Sequence, residues 1–142
     1  MRRLLCANAL LAALIGAHIA DHVTRQHGAP TSAAQTIPGL LGAVIVLGSL
    51  ALTARRDPRA PIVAAVVGVA TAAGFLAVHV LPRWSVFSDP YSSRHLDAVS
   101  WVSMLVTLGT GLLLSAVALT VRYRRPGDGP RALHARTGAS SA

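Results

Sequence analysis

The chain has 142 residues, of which 53% are hydrophobic and only 13% charged, and its mean hydropathy is +0.55. An ordinary globular domain carries about 25% charged residues, so this composition favours a lipid environment over a water-soluble fold. The net charge of +8 rests on arginine alone. It flanks apolar segments without interleaved aromatics, which argues against nucleic acid as a partner.

Four apolar stretches predict four helices, at residues 4–23, 37–54, 61–81 and 97–121. Each has about the ~20 residues needed to cross a hydrocarbon core of ~30 Å. The first follows Met1-Arg2-Arg3, which is also how a signal peptide begins. Cleavage after Ala17 or Ala20, however, would put Ile15 or His18 where a small residue is preferred, so a retained helix is expected. Cys6 is the only cysteine, allows no intrachain disulfide, and is expected to fill space in the packing.

The far end of the first helix carries His18, Asp21, His22 and Arg25 at i, i+3, i+4 and i+7, within one arc of about 100°. Two histidines at i, i+4 can aim imidazoles at one point, as zinc sites on helices require. Asp21 would be a further ligand or an acceptor that fixes an imidazole tautomer. The competing reading is an ordinary Asp21–Arg25 ion pair on the helix surface. A polar loop with His27, Gly28 and Pro30 leads into the second helix, where Gly39, Gly42 and Gly48 would allow close helix packing.

A tight turn, Arg55-Arg56-Asp57-Pro58-Arg59, joins the second and third helices, with Pro61 tolerated in the first turn. Ala60, Ala64, Gly68 and Ala72 mark a close-packing face, within a bundle or in a homodimer. His79 lies just before Pro82, at a depth similar to His18 and His22. The 82–97 loop then concentrates Trp84, Phe87, Ser88, Asp89 and Tyr91, and these five residues are expected to form a recognition surface for a membrane-protein partner. Ser88-Asp89-Pro90 reads as a cap followed by proline at a first helical position, and a short interfacial helix is expected around Tyr91 to Leu96.

On the fourth helix Ser100, Ser103, Thr107 and Thr110 form a hydroxyl stripe, either the wall of a polar path or groups bonded to their own helix. Residues 126–142 are rich in Pro, Gly, Ser and Arg and are expected to be a disordered basic tail held near anionic lipid.

Alternating crossings put Arg2, Arg3, Arg55, Arg56, Arg59, Arg122, Arg124, Arg125, Arg131 and Arg136 on one side, and only Arg25, Arg83 and Arg94 on the other. By the positive-inside rule both termini are cytoplasmic. The fold expected is therefore an all-α membrane protein: an antiparallel bundle of four transmembrane helices over residues 1–125, multi-pass in the plasma membrane. Trp84, Phe87, Tyr91 and Trp101 then cluster at the outer headgroup level.

No G-x-S-x-G, H-E-x-x-H, Walker or dinucleotide-binding motif is present, so an enzyme is not the favoured reading. Lysine and glutamate are missing while Ala, Arg and Val abound, a usage that looks like a high-GC actinobacterium. The segment His79-Val-Leu-Pro-Arg-Trp-Ser-Val-Phe-Ser-Asp-Pro-Tyr91 resembles a stretch of small four-helix membrane proteins of that phylum. The resemblance covers about a tenth of the chain, and implies the four-helix layout and an outward loop but no activity.

Two functions are expected from these residues. The first is a structural or accessory membrane protein that recognises a partner through the 82–97 loop. The second is a metal- or haem-binding protein with His18, His22 and His79 as core ligands and Asp21 nearby. Imidazole ligands suit zinc or copper, and a haem b would need opposed histidines on two helices.

Overall fold

The structure, a computed structural model, describes residues 1–25, 33–93 and 96–123. All regular elements among these residues are helical. They are α1 (Arg2–Thr24), α2 (Ala33–Ala54), α3 (Ala60–Phe75), a π-helical turn (Leu76–Val80) that continues α3, a 3-10 turn (Tyr91–Ser93) and α4 (Ala98–Tyr123). Four helices, counting α3 with its π turn as one, are long and apolar enough to cross a membrane, with mean hydropathies of 1.7 to 2.2.

Each helix buries one stripe. On α1 the buried positions are Leu4, Ala7, Asn8, Leu11, Ile15, His18 and Asp21, spaced by three and four as a single face demands. On α4 they include Met104, Thr107, Gly111, Leu114 and Ala118. Both helices pack on this shared core, α3 packs most closely on α4, and α2 lies at the periphery. Apolar side chains also cover the outside, where Leu40, Leu41, Val44, Leu47 and Val66 are all more than half exposed.

The α3–α4 contact is set by two glycines. A Cβ on Gly68 would collide with the Gly111 carbonyl oxygen and the Ser115 hydroxyl, and one on Gly111 would lie 2.8 Å from the Gly68 carbonyl oxygen. Ser115 Oγ also donates to the Ala65 carbonyl at 2.8 Å. Ala60, Ala64, Gly68 and Ala72 are all buried, as a close-packing face requires. The glycines of α2 play no such part: among the described residues, a Cβ on Gly39, Gly42 or Gly48 would meet nothing within 4 Å. What ties α2 to α1 is a polar node instead. Asn8 Nδ2 donates to Ser49 Oγ at 3.1 Å and to Thr53 Oγ1 at 3.0 Å.

The α2–α3 turn closes α2 with a Schellman motif. Asp57 N–H reaches the Leu52 carbonyl and Arg56 N–H the Thr53 carbonyl, with Arg56 in the left-handed region at φ 56°. Asp57 Oδ1 then accepts from Arg59 N–H at 2.7 Å at the entry to α3.

Several expectations need correction. Cys6 is exposed on α1 and does not fill the core. The second helix begins at Ala33, so Pro38 lies inside it and not beside its start. The third helix does not stay α-helical through residue 81 but turns π-helical at Leu76. The expected interfacial helix is a single 3-10 turn over Tyr91–Ser93, beyond which residues 94–95 lie outside the described set. His27, Gly28, Pro30, Arg94, His95, Arg124, Arg125 and the expected 126–142 tail also lie outside the described residues.

Candidate metal centre

The centre begins with a proline. Pro82 has no N–H to give the Val78 carbonyl and its ring crowds that carbonyl, so α3 cannot close its last turn in the ordinary way. The helix widens instead, and Leu81 N–H bonds the Leu76 carbonyl five residues back. Two carbonyls are thereby released, and the following loop folds back to meet them. Trp84 Nε1–H donates to the Ala77 carbonyl at 2.7 Å, and Asp89 N–H donates to the Val78 carbonyl at 2.9 Å. Ser88, which is buried, holds the loop by accepting at Oγ from Trp84 N–H and Ser85 N–H.

The widened turn and this loop bring His79 against His18 and His22. Ligand atoms of the three imidazoles all lie within 4.8 Å of one another. Ring centroids are 4.7 Å apart for His18 and His22, 5.3 Å for His18 and His79, and 5.4 Å for His22 and His79. His18 is only 5% exposed and neither of its ring nitrogens has a hydrogen-bond partner among the described residues. An idle buried polar atom costs about 1–3 kcal/mol, so such an imidazole calls for a ligand or a reason.

The surroundings orient the other two rings. His79 Nδ1 lies 3.3 Å from the Asp89 carbonyl oxygen. A carbonyl only accepts, so this bond places the proton on Nδ1 and makes Nε2 the acceptor nitrogen of the ring. The Tyr91 hydroxyl lies 3.3 Å from His22 Nε2. Tyr91 is fully buried, packed between His79 and the edge of Trp101, and Phe75 packs on His18 at 4.8 Å.

Asp21 does not join the three histidines in one ligand group. It pairs with Arg25 Nε at 3.4 Å, and Arg25 also bonds Asp97, which ties the end of α1 to the start of α4. Asp97 additionally caps α4 by accepting from Ser100 N–H at 3.0 Å. Its carboxyl is held below the usual aspartate range, first by this Ser100 N–H and then by the Arg25 guanidinium. The Arg25 guanidinium is correspondingly held above its usual value by the hydrogen bond to Asp97.

The five residues of the expected recognition surface separate. Trp84 and Phe87 are exposed, Asp89 is half-buried, and Ser88 and Tyr91 are buried with their hydroxyls directed to partners inside the protein. Along α4, Ser100, Thr107 and Thr110 are buried and Ser103 half-buried. Thr107 and Thr110 donate to the carbonyls of Ser103 and Val106, each at 2.8 Å, so both hydroxyls are spent on their own helix.

Phe75 and the Asp89 carbonyl were not foreseeable as parts of the centre from residue type. Pro82 three residues after His79 was the available signal for an altered helix end, and Tyr91 was visible only as part of the loop. Compared with family models, curated proteins and solved structures, the chain matches none.

Proposed function

We propose that the chain is a multi-pass membrane protein of four antiparallel spans with both termini cytoplasmic, and that its outward end carries a three-histidine centre for a Zn²⁺ or Cu²⁺ ion. Membrane insertion is supported by apolar side chains that stay exposed around all four helices, a surface that is costly in water and at home in lipid. The orientation is supported by the arginine distribution.

The observation that carries the metal reading is His18, buried, without hydrogen bonds among the described residues, and flanked by two further imidazoles. Zinc–nitrogen bonds of about 2.0–2.1 Å in a tetrahedral shell need nitrogens roughly 3.4 Å apart, which small side-chain rotations reach from the present spacing. The Asp89 carbonyl acts on His79 as outer-shell acceptors act on zinc-bound imidazoles elsewhere. Three protein ligands leave a fourth position open. A bare ion suits this geometry better than a haem, because the rings touch one another and leave no gap for a macrocycle.

The loop-recognition reading retains Trp84 and Phe87, whose exposed apolar surface, extended by Val86, suits the headgroup level or a partner. The hydroxyls of Ser88 and Tyr91 are already engaged inside.

The test is metal analysis of protein purified from membranes through a tag that contains no histidine. The expected result is one zinc or copper ion per chain, lost in His18→Ala, His22→Ala and His79→Ala while the helical content stays unchanged. Wild-type protein that takes up neither ion when supplied counts against the proposal.

A further inference from the structure

The three histidines line one part of a half-open cavity of about 450 Å³ between α1, α2, α3 and the segment that follows α3. Pockets of about 300–1,000 Å³ are the size that holds small organic ligands. The cavity exists because the first half of α2 stands away from the bundle. None of residues 36–45 is buried, whereas Val46, Ser49 and Thr53 further along the helix are. Pro38, Gly39 and Gly42 fall in that uncovered half, and side chains are absent where they would have filled the space. Apart from Thr36 and Thr71, the walls away from the histidines and Asp89 are apolar, with Ile15, Ile19, Leu41 and Val67 among them. A polar, cation-binding part joined to an apolar slot matches an amphiphile.

We propose that this cavity binds a single-chain fatty acid, with its carboxylate on the open position of the metal and its chain along the apolar walls. The proposal rests on the metal reading above. Charge selects the head group. Three neutral imidazoles and a divalent ion leave a net positive charge at this end of the cavity, which favours an anionic ligand. A carboxylate supplies that negative charge and is itself a competent zinc ligand. The size suits one chain, since the second chain and the headgroup of a phospholipid would lie outside the cavity.

Binding of radiolabelled palmitate to zinc-loaded protein in lipid nanodiscs tests this, with empty nanodiscs as background and zinc content read on the same samples. The expected result is saturable binding of one palmitate per chain, at least tenfold weaker after zinc removal and at least tenfold weaker for hexadecanol, which lacks the charge. Gly42→Leu and Gly74→Leu place side chains in the open cavity where a Cβ meets nothing. Each is expected to keep one zinc per chain and to lose palmitate affinity by tenfold or more. Zinc uptake with no saturable palmitate binding, or palmitate binding unaffected by both substitutions, overturns this inference alone. Failure to take up zinc overturns the metal reading and this inference together. A wild-type dimer that becomes monomeric in Gly42→Leu or Gly74→Leu overturns it as well, by showing that a second copy occupies the cavity.

Discussion

His79 and Asp89 are joined by a contact of 3.3 Å between imidazole Nδ1 and a backbone carbonyl, and this contact ties the loop after α3 to the histidine centre. It follows from the helix end: the same Asp89 donates its N–H to the Val78 carbonyl that Pro82 leaves unbonded. One residue therefore closes α3 and sets which nitrogen of His79 carries the proton.

Tyr91→Phe removes the hydroxyl beside His22 Nε2 but keeps the ring that fills the core. Outer-shell partners of metal-bound histidines are worth about 10–100-fold in affinity. Zinc affinity measured by competition with a chelator is expected to fall by that factor, with thermal stability of the metal-free protein little changed. Equal affinities for the two proteins would remove Tyr91 from the centre.

Arg25 and Asp97 tie α1 to α4, and the pH dependence of that tie follows from the depressed carboxyl. A group whose folded pKa is depressed contributes stability above its unfolded pKa, here the ordinary 3.8, and loses it as pH falls through the lower folded value. The contact is therefore expected to persist unchanged from pH 7 to about pH 4 and to open only in stronger acid. Spin labels at the two helix ends, read as a distance against pH, check this. Asp97→Asn is expected to widen the distance at neutral pH.

Gly68→Ala puts a methyl group against the Gly111 carbonyl, a backbone atom that cannot swing away. Overpacking of this kind costs about 1–3 kcal/mol. Unfolding of the protein in mixed micelles by added SDS should show that loss. Gly39→Ala, where a Cβ meets nothing, is the control and is expected to be neutral or slightly stabilising.

Arg56 holds a left-handed backbone at φ 56° to complete the cap of α2. The left-handed conformation costs a non-glycine residue about 1–2 kcal/mol. Arg56→Gly is expected to stabilise the protein by roughly 1 kcal/mol in the same micelle assay, because glycine meets no Cβ penalty there.

The helices were legible because hydrophobic length is a one-dimensional property, and Leu4 to Val23 or Val99 to Val121 needs no partner to be recognised. The face of α1 was legible too, since His18 and His22 follow from helical period alone. The partner of Asn8 was not, because Ser49 and Thr53 lie on another helix and only packing brings them within 3.1 Å. The role of the α2 glycines was misjudged for a related reason. A small residue permits close approach but does not cause it, and α2 stands off where Gly39 and Gly42 occur. Ser88 carried its polar character openly, yet its place in the loop interior depends on backbone N–H groups that any sequence supplies.

X-ray absorption at the metal edge of the zinc- or copper-loaded protein tests the central claim most directly. The account predicts three imidazole nitrogens at about 2.0–2.1 Å, falling to fewer imidazoles or no bound metal in His18→Ala. A shell without imidazole, or one identical in wild type and His18→Ala, contradicts it.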